Sequence, residues 1–249
     1  MKLTFLGTGT STGVPYIGCN CEVCRSEDPR DHRLRCSSLI EVNGKNILID
    51  CSPDFRQQAL RAGFNRLDAV LLTHEHFDHV EGIGDLRPFG DVNIYADKQT
   101  IASVHKMFHY CFNNNYPGIP TLIMHEIENQ LFDVCGIDIL PVKAYHYKLP
   151  VFGYRIGNMA YLTDFKTIEP EEEQKLLNLD VLVLDALRHK EHISHVNLQQ
   201  ALELIRRVAP KRTYLIHLSH DMGLHAKESM LLPPNVYFAY DGLVVEQKK

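Results

Sequence analysis

The sequence lacks both a long apolar run and an excess of basic charge. Hydrophobic residues make up 45% of its 249 positions, but no run approaches the roughly 20 residues that a membrane-spanning helix needs. Its 26 lysines and arginines are outnumbered by 31 acidic residues, which gives a net charge of −5. We therefore predict no membrane-spanning helix and no nucleic-acid surface built on bulk positive charge. The composition excludes collagen, coiled-coil and disordered chains.

The sequence also shows no secretory leader. Residues 1–7 combine one lysine with a short apolar run that is broken by Gly7, and they lack the apolar core and cleavage site of a signal peptide. We therefore expect a cytoplasmic protein. The 7 cysteines are odd in number, which argues against a disulfide framework. Because no low-complexity linker divides the chain, we expect residues 1–249 to form a single domain.

Short β-branched or aromatic runs alternate with helical patterns along the whole chain. The clearest helix is predicted at 197–208, where apolar residues form one stripe and Pro210 follows. Some predicted strands are joined by hairpins, as at Asn43 and Gly44, and others are followed by helices. Two β-sheets packed together with helices outside would bury both kinds of element. We therefore predict an α/β fold of this layered kind.

The strongest motif is His-Glu-His-Phe-Asp-His, which comes directly after the predicted buried strand 69–72. Its first two histidines, His74 and His76, project to the same side of an extended segment. Asp78 and His79 follow in a turn or helix start. Four ligand-type side chains within six positions are hard to explain by packing, and imidazole with carboxylate suits zinc or manganese.

Three later residues follow predicted strands and complete a set of ligands for a pair of metal ions. They are His146, Asp164 and His217. Singly, each would be an ordinary polar strand end. Among these three, only Asp164 is a carboxylate that can bridge two cations, which an imidazole cannot do. We therefore expect Asp164 to lie between two ions.

In this order, these residues resemble the metallo-β-lactamase superfamily, and the resemblance covers nearly the whole chain. It implies an αββα sandwich, which has two mixed β-sheets flanked by helices, with two divalent ions at one edge. One ion would be held by His74, His76, His146 and Asp164. The other would be held by Asp78, His79, His217 and the bridging Asp164. The resemblance also implies that Asp50 steadies the metal-bearing loop, although Asp50 is also placed to cap the helix expected after Pro53.

A second candidate metal site is a C-x-C-x2-C pattern. It consists of Cys19, Cys21 and Cys24. Three close thiolates favour a fourth ligand, and His220 lies three residues past His217; His225 and His32 are alternatives. A closed site of three cysteines and one histidine is typical of structural zinc.

The segment before these cysteines, residues 5–15, is rich in glycine, threonine and serine. Together with the cysteine pattern, it resembles the phosphodiesterase branch of the superfamily, and most closely the phosphoribosyl 1,2-cyclic phosphate phosphodiesterases. This implies hydrolysis of a small phosphodiester, such as a cyclic one, by metal-bound hydroxide that Asp78 orients. The loop from Gly7 to Gly13 would present hydroxyl and N–H groups to the phosphate, although such a loop also serves as a plain turn.

The resemblance assigns a further role to a histidine ahead of the helix at 197–208. In that branch a histidine near this place is not a ligand and acts on the phosphate or leaving group, and His195 matches it best. Since imidazole titrates near neutral pH, His195 is a candidate general acid. Asp185, at the end of a predicted strand, is a candidate to orient it. A solvated loop explains His189 and His192 equally well.

Three other functions remain open on the sequence. A tRNA 3′-processing endoribonuclease of the same superfamily carries a long basic arm, which we do not find here. A hydrolase of thioesters or other substrates is a second alternative, and a non-enzymatic metal sensor is a third. We expect a small-molecule phosphodiester substrate, with neither a membrane nor a nucleic acid as partner. The aromatic segment 105–120 is either a helix end packed on the core or a substrate lid or dimer contact, so a homodimer stays open.

Overall fold

The computed structural model describes residues 1–112, 118 and 121–247. Its strands are β1 (Lys2–Gly7), β2 (Ser37–Val42), β3 (Lys45–Ile49), β4 (Ala69–Leu71), β5 (Asp91–Ala96), β6 (Thr121–Glu126), β7 (Phe132–Val134), β8 (Ile137–His146), β9 (Leu149–Ile156), β10 (Met159–Leu162), β11 (Thr167–Ile168), β12 (Val181–Asp185), β13 (Thr213–Ile216), β14 (Val236–Phe238) and β15 (Val244–Glu246). Its α-helices are α1 (Phe55–Ala62), α2 (Phe77–Val80), α3 (Lys98–Met107), α4 (Pro170–Glu173), α5 (Leu198–Val208) and α6 (His225–Glu228).

The strands form two mixed sheets. The first has the order β15-β1-β2-β3-β4-β5-β6, and the second has the order β11-β8-β9-β10-β12-β13-β14, with β7 paired to β8. In each sheet one half is antiparallel, and the other half, β3 to β6 or β10 to β14, is parallel. Parallel neighbours end at the same edge of a sheet, so the residues after β4, β10, β12 and β13 gather there.

Alternation along the strands separates an inner core from two outer ones. In β12, Val181 and Val183 pack between the sheets, whereas Leu182 and Leu184 pack on the outer side against α5. The outer face of the first sheet is covered by α1 and α3 in the same way. Helices therefore flank both sheets, and the predicted αββα arrangement is confirmed.

The helix predicted at 197–208 is α5. Asn197 caps it by accepting a hydrogen bond from the Gln200 N–H, and the Gln200 side chain accepts one from the Asn197 N–H in return. Among the described residues, no helix is both long and apolar enough to cross a membrane. In the aromatic segment, Phe108 and Cys111 pack on the first sheet's outer core. Residues 113–117 and 119–120 of that segment lie outside the described residues.

Candidate metal centre

The predicted ligands converge at one edge of the sandwich. His74 and His76 follow β4, His146 ends β8, Asp164 follows β10 and His217 follows β13. Asp78 and His79 lie in α2, which begins directly after His76. The structure thus brings together every residue that the sequence predicted for the metal pair. That these residues bind metal stays a prediction.

Asp164 lies at the middle of this group. Its Oδ1 is 3.3 Å from His79 Nε2 and 3.2 Å from His217 Nε2. Its Oδ2 is 3.9 Å from His74 Nε2. The two carboxylate oxygens therefore face different histidines, which is the arrangement that a bridging ligand requires.

The remaining ligands complete the two sides. Asp78 Oδ2 is 3.1 Å from His79 Nε2 and 3.6 Å from His217 Nε2. On the other side, the ring centres of His76 and His146 are 5.0 Å apart, and those of His74 and His76 are 4.6 Å apart. Asp78, His79 and His217 therefore cluster with Asp164, as do His74 and His76, whereas His146 groups with Asp164 and His195.

The chemistry of this centre fits divalent cations. Within the described residues, several buried ligand atoms have no hydrogen-bond partner: His74 Nε2, Asp78 Oδ2, His79 Nε2, His146 Nδ1 and His217 Nε2. Buried polar atoms are rarely left unpaired, so these atoms call for a bound group. Burial lowers the pKa of His74 and keeps it neutral, as a metal ligand must be. Burial opposes the charge of Asp164, but His217 and His79 hold its pKa well below the usual range.

Asp50 supports the centre from behind. Its carboxylate accepts hydrogen bonds from the Thr73 N–H at 2.8 Å, the Thr73 hydroxyl at 2.9 Å and His79 Nδ1 at 2.7 Å. The N-cap of α1 is Asp54 rather than Asp50. The alternative role as a helix cap was therefore wrong, and Asp50 fixes the orientation of the His79 ring.

Three residues of the centre adopt left-handed backbone conformations. Their φ angles are 59° at Asp50, 49° at Asp164 and 57° at His217. Residues other than glycine rarely adopt this region, and strain of this kind gathers at functional sites. Each of the three turns the chain sharply where a strand ends.

His195 lies among the predicted ligands, with its ring centre 4.5 Å from that of His146 and 4.9 Å from that of His217. Its Nδ1 is 3.0 Å from Asp185 Oδ2, and its Nε2 is 4.0 Å from Asp164 Oδ2. Burial works against its charged form, but Asp185, Asp164 and Asp78 raise the pKa of His195 to about 9. Cations held by Asp164 and Asp78 would lower this pKa, because they neutralise two of the carboxylates that raise it. Because Asp185 contacts His195 Nδ1, it lies where a residue that orients the His195 ring must lie.

The cysteine pattern forms a separate cluster with His220. Cys19 Sγ and Cys21 Sγ each lie 3.4 Å from His220 Nδ1, and Cys24 lies within the same group. Although desolvation raises it, the pKa of Cys21 is lowered to about 6, chiefly by its hydrogen bond with His220. The alternative ligands point elsewhere, since His225 contacts Arg33 and His32 contacts the Ser26 carbonyl.

The glycine-rich loop packs closely against other parts of the chain. A Cβ on Gly7 would lie 2.0 Å from the Arg35 carbonyl oxygen, so this position requires glycine. The Thr8 hydroxyl donates to Asp241 at 2.8 Å and accepts from Arg33 at 2.8 Å. Thr8 is therefore engaged in a buried network and has no hydroxyl free for a phosphate, and for the other hydroxyl and N–H groups of the loop the expectation stays a prediction.

The sequence analysis did not identify Glu75, which ties the metal-bearing loop to α3. Glu75, between His74 and His76, accepts hydrogen bonds from Gln99 at 3.1 Å and from Ser103 at 2.5 Å. Both donors lie on α3, so this helix holds the loop from outside. A glutamate that alternates with two ligand histidines was the available signal.

Comparison with known proteins identifies the family. Residues 45–218 match the model described as the beta-lactamase superfamily domain. This chain belongs to the metallo-β-lactamase superfamily. A crystal structure of a new diphosphatase from the PhnP family is 40% identical, with a TM-score of 0.93, and the match covers 99% of this chain and 98% of that one. The superfamily, this match and the His/Asp centre support the prediction of a metal-dependent hydrolase.

Two curated relatives are longer. An octanoyltransferase from Porphyromonas gingivalis is 47% identical over 257 residues, which cover 100% of this chain and 52% of the relative. A ribonuclease Z from Bradyrhizobium diazoefficiens is 36% identical over 61% of this chain and 48% of the relative. The chain thus spans about half the length of the curated relatives it matches.

Proposed function

We propose that this superfamily member hydrolyses a small phosphodiester, cyclic ones included, at a centre of two divalent ions, either zinc or manganese. The position of Asp164 carries the proposal. Its two carboxylate oxygens face different histidines, with Oδ1 toward His79 and His217 and Oδ2 toward His74. A pair of metal ions suits phosphoryl chemistry because it stabilises both the attacking and the leaving oxygen.

The ligands divide around Asp164. One ion would be held by His74, His76, His146 and Asp164. The second would be held by Asp78, His79, His217 and Asp164. When bound, such a pair activates a water molecule and neutralises charge on the phosphate oxygens. Cys19, Cys21, Cys24 and His220 would hold a third ion, zinc, with a structural role.

Residues of the chain supply the proton chemistry. Asp78 presents a buried carboxylate to the centre and would orient the attacking water by accepting its hydrogen bond. His195 would donate the Nε2 proton to the departing alkoxide, which leaves as an alcohol. Asp185, 3.0 Å from His195 Nδ1, would hold the ring in place and stabilise its charged form.

Two similar proteins suggest two other classes of substrate for this centre. The PhnP-family structure at 40% identity is a diphosphatase, which favours a diphosphate linkage as a second candidate at the same centre. The Porphyromonas gingivalis relative is an octanoyltransferase, which raises acyl thioesters. A general acid argues against thioesters, because a thiolate, whose conjugate acid has a pKa near 8.5, departs without a proton more readily than an alkoxide does. A net charge of −5 argues against a large nucleic acid as substrate.

Turnover of a substrate panel tests the proposal. The zinc- and manganese-loaded chain would be assayed on bis(p-nitrophenyl) phosphate, on cyclic and linear alkyl phosphodiesters, on a diphosphate diester and on an octanoyl thioester. We expect hydrolysis of the phosphodiesters and its loss in the Asp164→Ala variant. Turnover of the thioester alone would contradict the proposal, and turnover of the diphosphate alone would favour the second candidate.

A further inference from the structure

The loop between β8 and β9 contains an energetically unfavourable tyrosine. His146 pairs with Leu149 across the two strands, so Tyr147 and Lys148 form a two-residue hairpin loop. Tyr147 has a φ of 58°. Positions with positive φ in such loops favour glycine, asparagine or aspartate, since a bulky side chain is strained there.

Comparison with the other left-handed positions sets Tyr147 apart. Within the described residues, the left-handed residues other than glycine include three asparagines, three residues of the metal centre, a helix cap and a cysteine in the β7–β8 turn. They are Asn43, Asn178, Asn235, Asp50, Asp164, His217, Ala209 and Cys135. Among the described left-handed residues, Tyr147 is the only phenylalanine, tyrosine or tryptophan.

Packing does not account for the tyrosine. Tyr147 is 55% exposed and, within the described part of the chain, joins none of the hydrophobic clusters. The fold therefore gains little from an aromatic ring at this position, although the backbone there disfavours one. Strained, exposed residues that the core does not use occur mainly at functional sites.

The place of Tyr147 indicates a role in binding. It directly follows His146, whose ring centre is 5.0 Å from that of His76 and 4.5 Å from that of His195. A second exposed aromatic residue, Phe77, directly follows His76 and is 47% exposed. Two neighbouring ligand histidines are thus each followed by an exposed aromatic ring.

Both rings have a cation nearby. The Lys148 ammonium group is 5.4 Å from the ring centre of Tyr147, and the Arg35 guanidinium group is 6.0 Å from that of Phe77. Aromatic faces bind planar groups by stacking, and adjacent cations favour an anionic ligand.

We infer that Tyr147 is a substrate-binding residue whose ring stacks on a planar aromatic group, such as a nucleobase, attached to the phosphodiester. Phe77, which directly follows His76, offers a second exposed apolar surface, and the nearby cations suit the phosphate. This inference rests on the proposed function, and it narrows the substrate to diesters that carry a planar group.

Two matched pairs of compounds test the inference. Adenosine 2′,3′-cyclic phosphate and glycerol 1,2-cyclic phosphate share a five-membered cyclic diester and differ in the base. AMP and ribose 5-phosphate form the corresponding pair for binding without turnover. The variants are Tyr147→Asn, which suits the backbone and lacks the ring, and Tyr147→Phe, which keeps the ring. Cys135→Asn makes a comparable change at a turn at the opposite end of β8.

We expect Tyr147→Asn to lower kcat/KM on the adenosine ester by about tenfold, mainly through KM, as base stacking on an aromatic ring predicts. Its activity on the glycerol ester should stay within about twofold, and its Tm should not fall. Its affinity for AMP should fall toward that for ribose 5-phosphate. Tyr147→Phe and Cys135→Asn should leave both pairs unchanged.

Equal losses on both esters, no loss on either, or a lowered Tm with general loss of activity would each overturn the inference. Failure of the proposed function looks different: the wild-type chain would then hydrolyse no diester at all. In that case, the preference for AMP over ribose 5-phosphate and its loss in Tyr147→Asn would still decide whether Tyr147 binds a planar group.

Discussion

The centre around Asp164 and the cysteine cluster each take a histidine from one short segment, but the surroundings of the two sites differ. His217 belongs to the centre and His220 to the cluster. His217 is 1% exposed and follows a strand of the second sheet, whereas Cys19, Cys21 and His220 are half-buried. Only a small apolar group, which includes Val14, Val23 and Leu224, packs with the cysteines.

The folded strands position the residues of the first centre, whereas metal binding at the cysteine cluster would help the chain to fold. Strand ends and Asp50 fix the ligands of the first centre from behind, and Asp185 holds His195 beside them. The cysteine loop lies outside the strands and is held by N–H groups that donate to its sulfurs and by Tyr16, which stacks on His220, so a bound ion would supply much of its order. Losing metal from the first centre should therefore abolish activity, and losing it from the second should lower stability.

The largest expected effect is that of Asp164→Ala. Because Asp164 faces both halves of the centre, its removal should weaken both ion sites and lower kcat/KM by at least about a thousandfold, since paired ions contribute several kcal/mol to catalysis. Elemental analysis and diester turnover measure this effect. His76→Ala, which removes a ligand of one half only, should lose less metal. Full metal content in Asp164→Ala would contradict the bridging role.

His195→Ala should separate proton donation from metal binding. An alkyl or cyclic sugar ester needs a proton on its leaving oxygen, so its hydrolysis should slow by roughly 10²–10⁴-fold. A p-nitrophenyl ester should lose little, because p-nitrophenolate departs without a proton. Metal content should stay unchanged. Equal losses on both esters would mean that His195 binds phosphate instead, and loss of metal would place His195 among the ligands.

Asp50→Asn should test the support behind the buried centre. The amide can no longer accept all the hydrogen bonds from Thr73 and His79, so the His79 ring should lose its fixed orientation. We expect metal affinity to fall by roughly 10–100-fold, as measured by competition with a chelator. Asp54→Asn, which weakens the ion pair with Arg35, is the control and should leave metal affinity intact.

Cys21→Ser should have the smallest effect on chemistry and a clear effect on folding. We expect Tm to fall by about 10 °C, which corresponds to roughly 3 kcal/mol for a chain of this size. Turnover per active-site ion should remain near that of the wild type. Cys135→Ser, at an exposed cysteine outside the cluster, should change neither. A stable but inactive Cys21→Ser variant would mean that the cysteines take part in catalysis, so the two clusters would no longer differ in role.

The local sequence pattern was sufficient to predict which residues converge at the edge of the sheet. His74, Asp164 and His217 each follow a short apolar strand in a parallel half of a sheet, and parallel strands end at the same edge. His146 ends β8, which runs in the same direction as β10 because both are antiparallel to β9. The His220 partner of the cysteines was also accessible, because its spacing from His217 is short. For these residues, type and position along a strand carry the information.

Other features depend on contacts between distant parts of the chain. The Thr8 hydroxyl is occupied by Asp241 and Arg33, which lie 233 and 25 residues away, and no local motif announces such a network. The strain at Tyr147 arises from the register of β8 on β9, which leaves only two residues for the loop. In the sequence, no glycine or asparagine marks this turn.

The left-handed backbone at Asp50, Asp164 and His217 has an evolutionary consequence. Asparagine and glycine adopt this conformation at lower cost than other residues. A population selected for yield and solubility alone should therefore drift toward those two residues at these three positions, and it should lose catalysis as it gains stability. Where aspartate and histidine persist there, selection for turnover has outweighed selection for folding.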